Sequence, residues 1–165
     1  MKYKILPMSE KYIEPSWHAL DSVAKERKYL AFLEGPPLEK LRAFVLGNLK
    51  ENRPHYIALI EEQVVGWCDI SSLNRPVYAH SGSLGMGVIM EYRGHGIGEA
   101  LIRAALAHAK STGLSRVELT VHEENKPAIA LYEKMGFTVE GLKRNAVKID
   151  NEYINNICMA ILFSK

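Results

Sequence analysis

The chain has 165 residues, with 21 Lys and Arg against 19 Asp and Glu for a formal charge of +2, and 47% of its residues are hydrophobic. This is the make-up of one ordinary globular domain, long enough to bury a sizeable core and too short for a second domain of normal size, and a dedicated nucleic-acid binder would carry a basic stripe that is missing here. No apolar run is long enough to cross a bilayer, the N-terminal stretch lacks the apolar core and cleavage site of a secretory leader, and Cys68, Cys158 and the histidines show no metal-ligand spacing. The expectation is therefore a cytoplasmic protein without metal, membrane or nucleic-acid partner.

In chain order, Lys2 to Pro7 reads as a short strand, and Tyr12 to Tyr29 as a helix through Ile13, Trp17, Leu20 and Ala24. Gly35, Pro36 and Pro37 break the pattern. A second helix spans Leu38 to Lys50, with Leu41, Val45 and Leu49 on one face. Tyr56 to Ile60 and Val64 to Leu73 form a strand pair around Glu61, Glu62 and Gln63, and a further strand runs from His80 to Ile89. From Gly96 to Ser111 a helix places Ile97, Leu101, Ala105 and Ala109 on one stripe, and Gly113 stands where a C-terminal stop belongs. Arg116 to His122 alternates with the period of a strand. Asn125 caps a last helix that holds Pro127, Ile129, Tyr132 and Met135 and ends at Gly136. Phe137 to Arg144 and Glu152 to Phe163 then read as two strands joined by a turn at Asp150 and Asn151.

The informative stretch is Leu84 to Gly98, a strand followed by Arg93-Gly94-His95-Gly96-Ile97-Gly98 and directly by a helix. Glycines allow a tight bend and close backbone approach, and the helix N-terminus offers unpaired N–H donors, so phosphate suits the loop. The spacing is G-x-G-x-G, neither the dinucleotide fingerprint nor a Walker A loop.

Arg93 to Gly98 resembles the [QR]-x-x-G-x-[GA] signature of the GNAT superfamily of acyl-CoA-dependent N-acyltransferases. A second similar segment runs from Asn125 through Lys126-Pro127-Ala128-Ile129-Ala130-Leu131-Tyr132-Glu133-Lys134-Met135-Gly136-Phe137. Within the superfamily the tail and the turn Asn74-Arg75-Pro76 look most like bacterial amino-acid and phosphinothricin acetyltransferases. The resemblance implies one domain over residues 1–165 with a GNAT fold of the α/β (α+β) type: a mixed, mostly antiparallel sheet of six to seven strands flanked by four helices. It implies acetyl-CoA as co-substrate, no metal, a small-molecule amine as acceptor, and a homodimer as an option. Two other readings stand beside it, an acetyltransferase of protein N-termini and a non-catalytic acyl-CoA-binding module.

Residue by residue, the resemblance puts the pyrophosphate on the backbone of Gly94, His95, Gly96, Ile97, Gly98 and Glu99 beside Arg93, and the pantetheine arm along Met86, Gly87 and Val88. Gly85 and Gly87 fit close approach of a ligand and equally a β-bulge. Asn125 would contact the pantetheine and Tyr132 would protonate the departing thiolate; the plainer roles are a helix cap and a core aromatic. Alanine-type relatives use a Glu as base at the position that is Thr120 here, which leaves that role open; Glu118 and His122 flank Thr120 on the same strand face, and His122, as an imidazole suited to neutral pH, is the candidate base against a surface or structural role. Asp69, after Trp67 and Cys68, is either the seat of the substrate ammonium or a solvated strand carboxylate. The segment Arg27 to Glu34 takes the place of the acceptor lid and supplies Tyr29 and Glu34, while Leu30, Phe32 and Leu33 equally suit plugging the core edge.

Overall fold

The computed structural model describes residues 1–164. Seven strands form one sheet in the order β1-β2-β3-β4-β5-β7-β6. They are β1 (Lys4–Pro7), β2 (His55–Ile60), β3 (Gln63–Ser72), β4 (Ser81–Val88), β5 (Arg116–His122), β6 (Thr138–Ile149) and β7 (Glu152–Leu162). Four α-helices accompany them: α1 (Ile13–Ala24), α2 (Leu38–Lys50), α3 (Ile97–Ser111) and α4 (Lys126–Lys134). The β4–β5 pair is parallel and every other neighbouring pair is antiparallel.

Two elements differ from the sequence expectation. The first helix stops at Ala24, because Arg27 adopts a left-handed φ of 58° and the chain turns away through residues that the 3.6-residue period alone would have kept helical. The strand expected to end at Arg144 continues to Ile149, carried by pairing with β7 across a register shift between Lys143 and Val147. Asp150 and Asn151, both at positive φ (50° and 64°), close the hairpin as a type I′ turn would.

β3 is the middle of the core. Val64 to Ile70 are all buried, and both α1 and α3 pack on this strand, so it is covered on both faces. A Cβ on Gly66 would lie 3.2 Å from Leu101 of α3. By alternation Gly66, Cys68 and Ile70 face α3, while Trp67 and Asp69 face the side of α1. The α3 stripe buries Ile97, Leu101, Ile102, Ala105, Leu106 and Ala109; each of the larger aliphatics contributes roughly 1.5–3 kcal/mol. At its end Gly113, at φ 93°, and the bond from Leu114 N–H to Ala109 O close a Schellman turn.

The feature that positions the site is the short parallel seam. β4 pairs with β5 only through Ser81–Arg116, Gly82–Val117 and Ser83–Glu118, yet it remains paired with β3 as far as Val88. Beyond Ser83 the two strands therefore part and open a cleft through the sheet. The β3–β4 register has no break at Gly85 or Gly87, so these glycines do not mark a bulge.

Candidate active site

The cleft has a volume of about 570 Å³. Its floor is β4 from Leu84 to Val88, its walls are the loop before α3, the start of α4 and the end of β5, and Tyr29 to Ala31 form its rim. The bond from Ile89 N–H to Val65 O fixes the phase of the antiparallel ladder, so Gly85 and Gly87 turn their backbone groups to β3 and Leu84, Met86 and Val88 turn theirs to the cleft. The Val88 carbonyl accepts the Arg93 Nε–H at 2.8 Å. Met86 thus presents the free strand edge that an extended, amide-bearing ligand can join.

Where that edge ends, the chain passes Gly94 and Gly96, at φ of 79° and 83°, into α3. After Arg93 the next backbone amide to reach a backbone acceptor is that of Ala100, so the six N–H groups from Gly94 to Glu99 are unpaired in the protein among the described residues. Six adjacent donors at a helix N-terminus form an anion site. The side chains here are already engaged. Both Arg93 guanidinium arms bind the carboxylate of Glu26 in the turn after α1, one at 2.9 Å, and the group lies over the Tyr29 ring at 4.9 Å. Arg93 therefore fastens the cleft wall to the turn that follows α1, and its charge is spent on Glu26. His95 is exposed and turns Nδ1 to the Arg93 carbonyl at 2.9 Å, and the Glu99 carboxylate binds Arg103 and Lys134, each at 2.8 Å.

On α4, Asn125 Oδ1 accepts the Ala128 N–H at 3.3 Å, so the residue is a true helix cap, and it also lines the cleft. Tyr132 lies 8% exposed against Phe137, and burial pushes its phenol above the ordinary value, which keeps the hydroxyl protonated. His122 ends β5 at 7% exposure, with Nδ1 2.7 Å from the Lys28 carbonyl. A carbonyl can only accept, so Nδ1 carries a proton, and in the neutral ring the lone pair is on Nε2.

The remaining sequence candidates divide. Tyr29 is at the rim. Glu34 is exposed and lies outside the cleft lining. Trp67 is buried on the α1 side of the sheet and is not among the residues lining the cleft; a Cβ on Gly87 would come within 2.3 Å of its indole, so the bare Gly87 makes room for Trp67. Asp69 is not solvated; it is 8% exposed, and burial pushes its carboxyl up to about 7. Sequence reasoning missed Asn156, which is opposite His122 in register, lines the cleft and holds a sealed Oδ1 without a partner. The pair Asn155-Asn156 within an otherwise apolar run of β7 gave no signal of that. Among the described residues no cluster of three His, Cys, Asp or Glu could hold a metal ion, and no helix is long and apolar enough to cross a membrane.

Fold and cleft together define an acyltransferase architecture. The structure superposes with a TM-score of 0.91 on an acetyltransferase of the GNAT family from Streptococcus pneumoniae, at 25% identity over 98% of this chain and 100% of that one. It also superposes, with a TM-score of 0.93 at 17% identity over 99% of this chain and 90% of the other, on a GNAT superfamily phosphinothricin acetyltransferase from Sinorhizobium meliloti in complex with AcCoA. The acetyltransferase (GNAT) family pattern matches residues 17–137, and the chain belongs to this family. Among characterised sequences it is 32% identical over 105 residues to the L-amino acid N-acetyltransferase AaaT of Escherichia coli K12. That match covers 63% of this chain and 65% of the relative, just under two thirds of the latter's length.

Proposed function

We propose that the chain is an acetyl-CoA-dependent N-acetyltransferase that moves the acetyl group to the primary amine of a small molecule, with an amino acid as the favoured acceptor. The observation that carries the reading is the parting of β4 and β5. It leaves a free strand edge at Met86 that leads from six unpaired amides to the buried Tyr132 hydroxyl. The amides of Gly94 to Glu99 would hold the pyrophosphate, the edge of β4 would pair with the pantetheine amides, and Asn125 would border the arm. The amine attacks the thioester carbonyl directly, while Tyr132 donates its proton to the departing thiolate and His122 Nε2 takes a proton from the nitrogen. Tyr29 and Leu30, on the α1 side, would close over the acceptor. The likeness to an L-amino acid N-acetyltransferase supports the acceptor class.

Two finer points belong to the same reading. Cys68 and Cys158 are free thiols, which suits a cytoplasmic location. Val139, Leu142 and Leu162 expose apolar surface on β6 and β7 at the sheet edge, which suits a homodimer. The test is free-thiol release from acetyl-CoA across amino acids, polyamines, aminoglycosides and N-terminal peptides. Release is expected with a small primary amine. Tight acetyl-CoA binding with silence across the panel would refute the enzyme and leave a binding module.

A further inference from the structure

The reaction removes two protons from the acceptor nitrogen, whereas the cleft as described offers one lone pair, on His122. We propose that Asp69, uncovered by the missing side chain of Gly85, takes the first proton lost by the acceptor's ammonium, and that His122 takes the second. The inference rests on the transferase reading and extends it to a residue outside the cleft's own lining.

Asp69 is opposite Gly85 of β4 and His55 of β2. Gly85 is exposed and lines the cleft, and a Cβ built on it would meet nothing within 4 Å except the two Asp69 carboxylate oxygens, at 3.8 and 3.9 Å. Any side chain at position 85 would therefore stand directly over the carboxylate. Without one, a donor in the cleft has a route to it. Asp69 makes no hydrogen bond or ion pair among the described residues. Nor are its oxygens among the side-chain atoms that are both sealed from solvent and unpartnered, which among the described residues are Ser16 Oγ, Ser81 Oγ and Asn156 Oδ1. It is thus an unpartnered carboxylate with a small opening, and Gly85, the residue that stands over it, lines the cleft.

Its surroundings supply no cation. From β2 it faces His55, which burial holds neutral by lowering its pKa to about 4 and whose Nδ1 meets Asn48 Nδ2 at 3.3 Å. The buried face of α1 presents Ile13, Ser16, Ala19 and Val23, that of α2 presents Val45 and Asn48, and β4 presents Gly85 flanked by Ser83 and Gly87. None of these last groups titrates. Burial alone raises the Asp69 carboxyl to about 7, which gives it the affinity for a proton that deprotonating an ammonium near neutral pH calls for.

The proton count closes. The ammonium N–H breaks, its electron pair stays on nitrogen and its proton goes to Asp69. The neutral amine forms the N–C bond, and the C–S bond breaks with its pair on sulfur, which takes the Tyr132 proton. His122 removes the second N–H proton, which returns through solvent to the Tyr132 oxygen. Asp69 releases its proton to water, so amide, free CoA thiol and one proton leave.

Two acceptors of the same shape separate the roles: the accepted alkylamine, and a fluorinated analogue whose ammonium titrates below neutral pH and so arrives already deprotonated. Asp69→Asn should lower kcat/KM for the alkylamine by about 100-fold at neutral pH and move the acid limb of its pH profile upward toward the amine's own pKa, because only amine already deprotonated in solution then reacts. The fluorinated amine should be unaffected, as should the acetyl-CoA dissociation constant. Gly85→Ala, for which no clash exists, should act in the same direction by a smaller factor, and it carries the test should the Asn variant not fold. His122→Gln should slow both acceptors. An Asp69→Asn or Gly85→Ala effect equal for the two amines, or none, overturns the role of Asp69 while leaving the transferase reading intact. A wild-type protein that releases thiol with no amine overturns both.

Discussion

Gly87→Ala puts the interlock between β3 and β4 to a quantitative test. The added Cβ would lie 2.3 Å from Trp67 Cη2 and 2.8 and 2.9 Å from Cζ2 and Cζ3, where an ordinary contact needs at least about 3.4 Å. The overlap with the first atom is more than an ångström. Trp67 is 8% exposed and the β3–β4 ladder is paired on both sides of the position, so neither the ring nor the strand yields freely. Overpacking of this kind costs about 1–3 kcal/mol. At about 2–4 °C per kcal/mol for a domain of this size, the melting temperature should fall by about 2–12 °C, measured by calorimetry or circular dichroism. Trp67→Leu in the same chain should recover part of the loss as a coupling energy. Gly85→Ala, only two residues away with its nearest neighbours at 3.8 Å, should leave the melting temperature within about a degree, as exposed, uncrowded substitutions do. Equal melting temperatures for the two alanine variants would refute the account of why β4 carries these glycines.

Other expectations follow from the site. Tyr132→Phe should cut kcat by about 100-fold with acetyl-CoA affinity unchanged; unaltered turnover would remove the tyrosine from the mechanism. Gly96→Asp puts a carboxylate among the six amides at a left-handed position that Asp tolerates, with Tyr3 Oη no nearer than 3.7 Å to the new Cβ. The fold should persist and acetyl-CoA affinity should collapse, so retained affinity by titration calorimetry would refute the anion site. His55 and Asp69 make opposite contributions to stability against pH. The His55 pKa falls from 6.5 unfolded to about 4 folded, so the unfolded chain binds more protons in that window and stability is lost as pH drops through it. The Asp69 pKa rises from 3.8 to about 7, so the folded chain binds more protons and stability is lost as pH climbs through that interval. Between about 4 and 6.5 the slopes oppose. Asp69→Asn should leave stability rising with pH there and His55→Gln should leave it falling, by denaturant titration; parallel profiles for the two variants would contradict both assignments.

The sequence exposed what is local. The α3 stripe, the Gly113 stop, the Asn125 cap and the Asp150–Asn151 turn each depend on residues within a few positions, and the structure has all of them. Arg27 ended α1 early because a left-handed residue leaves no trace in hydrophobic period, and β6 overran because its partner strand sustains it. Within the site, the amide loop was legible as a run of glycines. The partner of Arg93 was not, since Glu26 is 67 residues away. Nor could the sequence show what Gly85 and Gly87 make room for: Asp69 and Trp67 face them only through a register that two separate strands set together. Buried on both faces, β3 shows no alternation to announce which of its residues turn toward α1.

The three-pair contact between β4 and β5 has a consequence for how the molecule holds together. A continuous ladder would knit the sheet from β1 to β6 into one cooperative unit; here the middle rung is mostly absent. The half that contains β1 to β4 and the half that contains β5 to β7 are joined like two planks nailed at one end. A guest that fills the gap does the work of a strand the chain never encoded. Filling that gap and resisting separation of the two halves would therefore be coupled quantities.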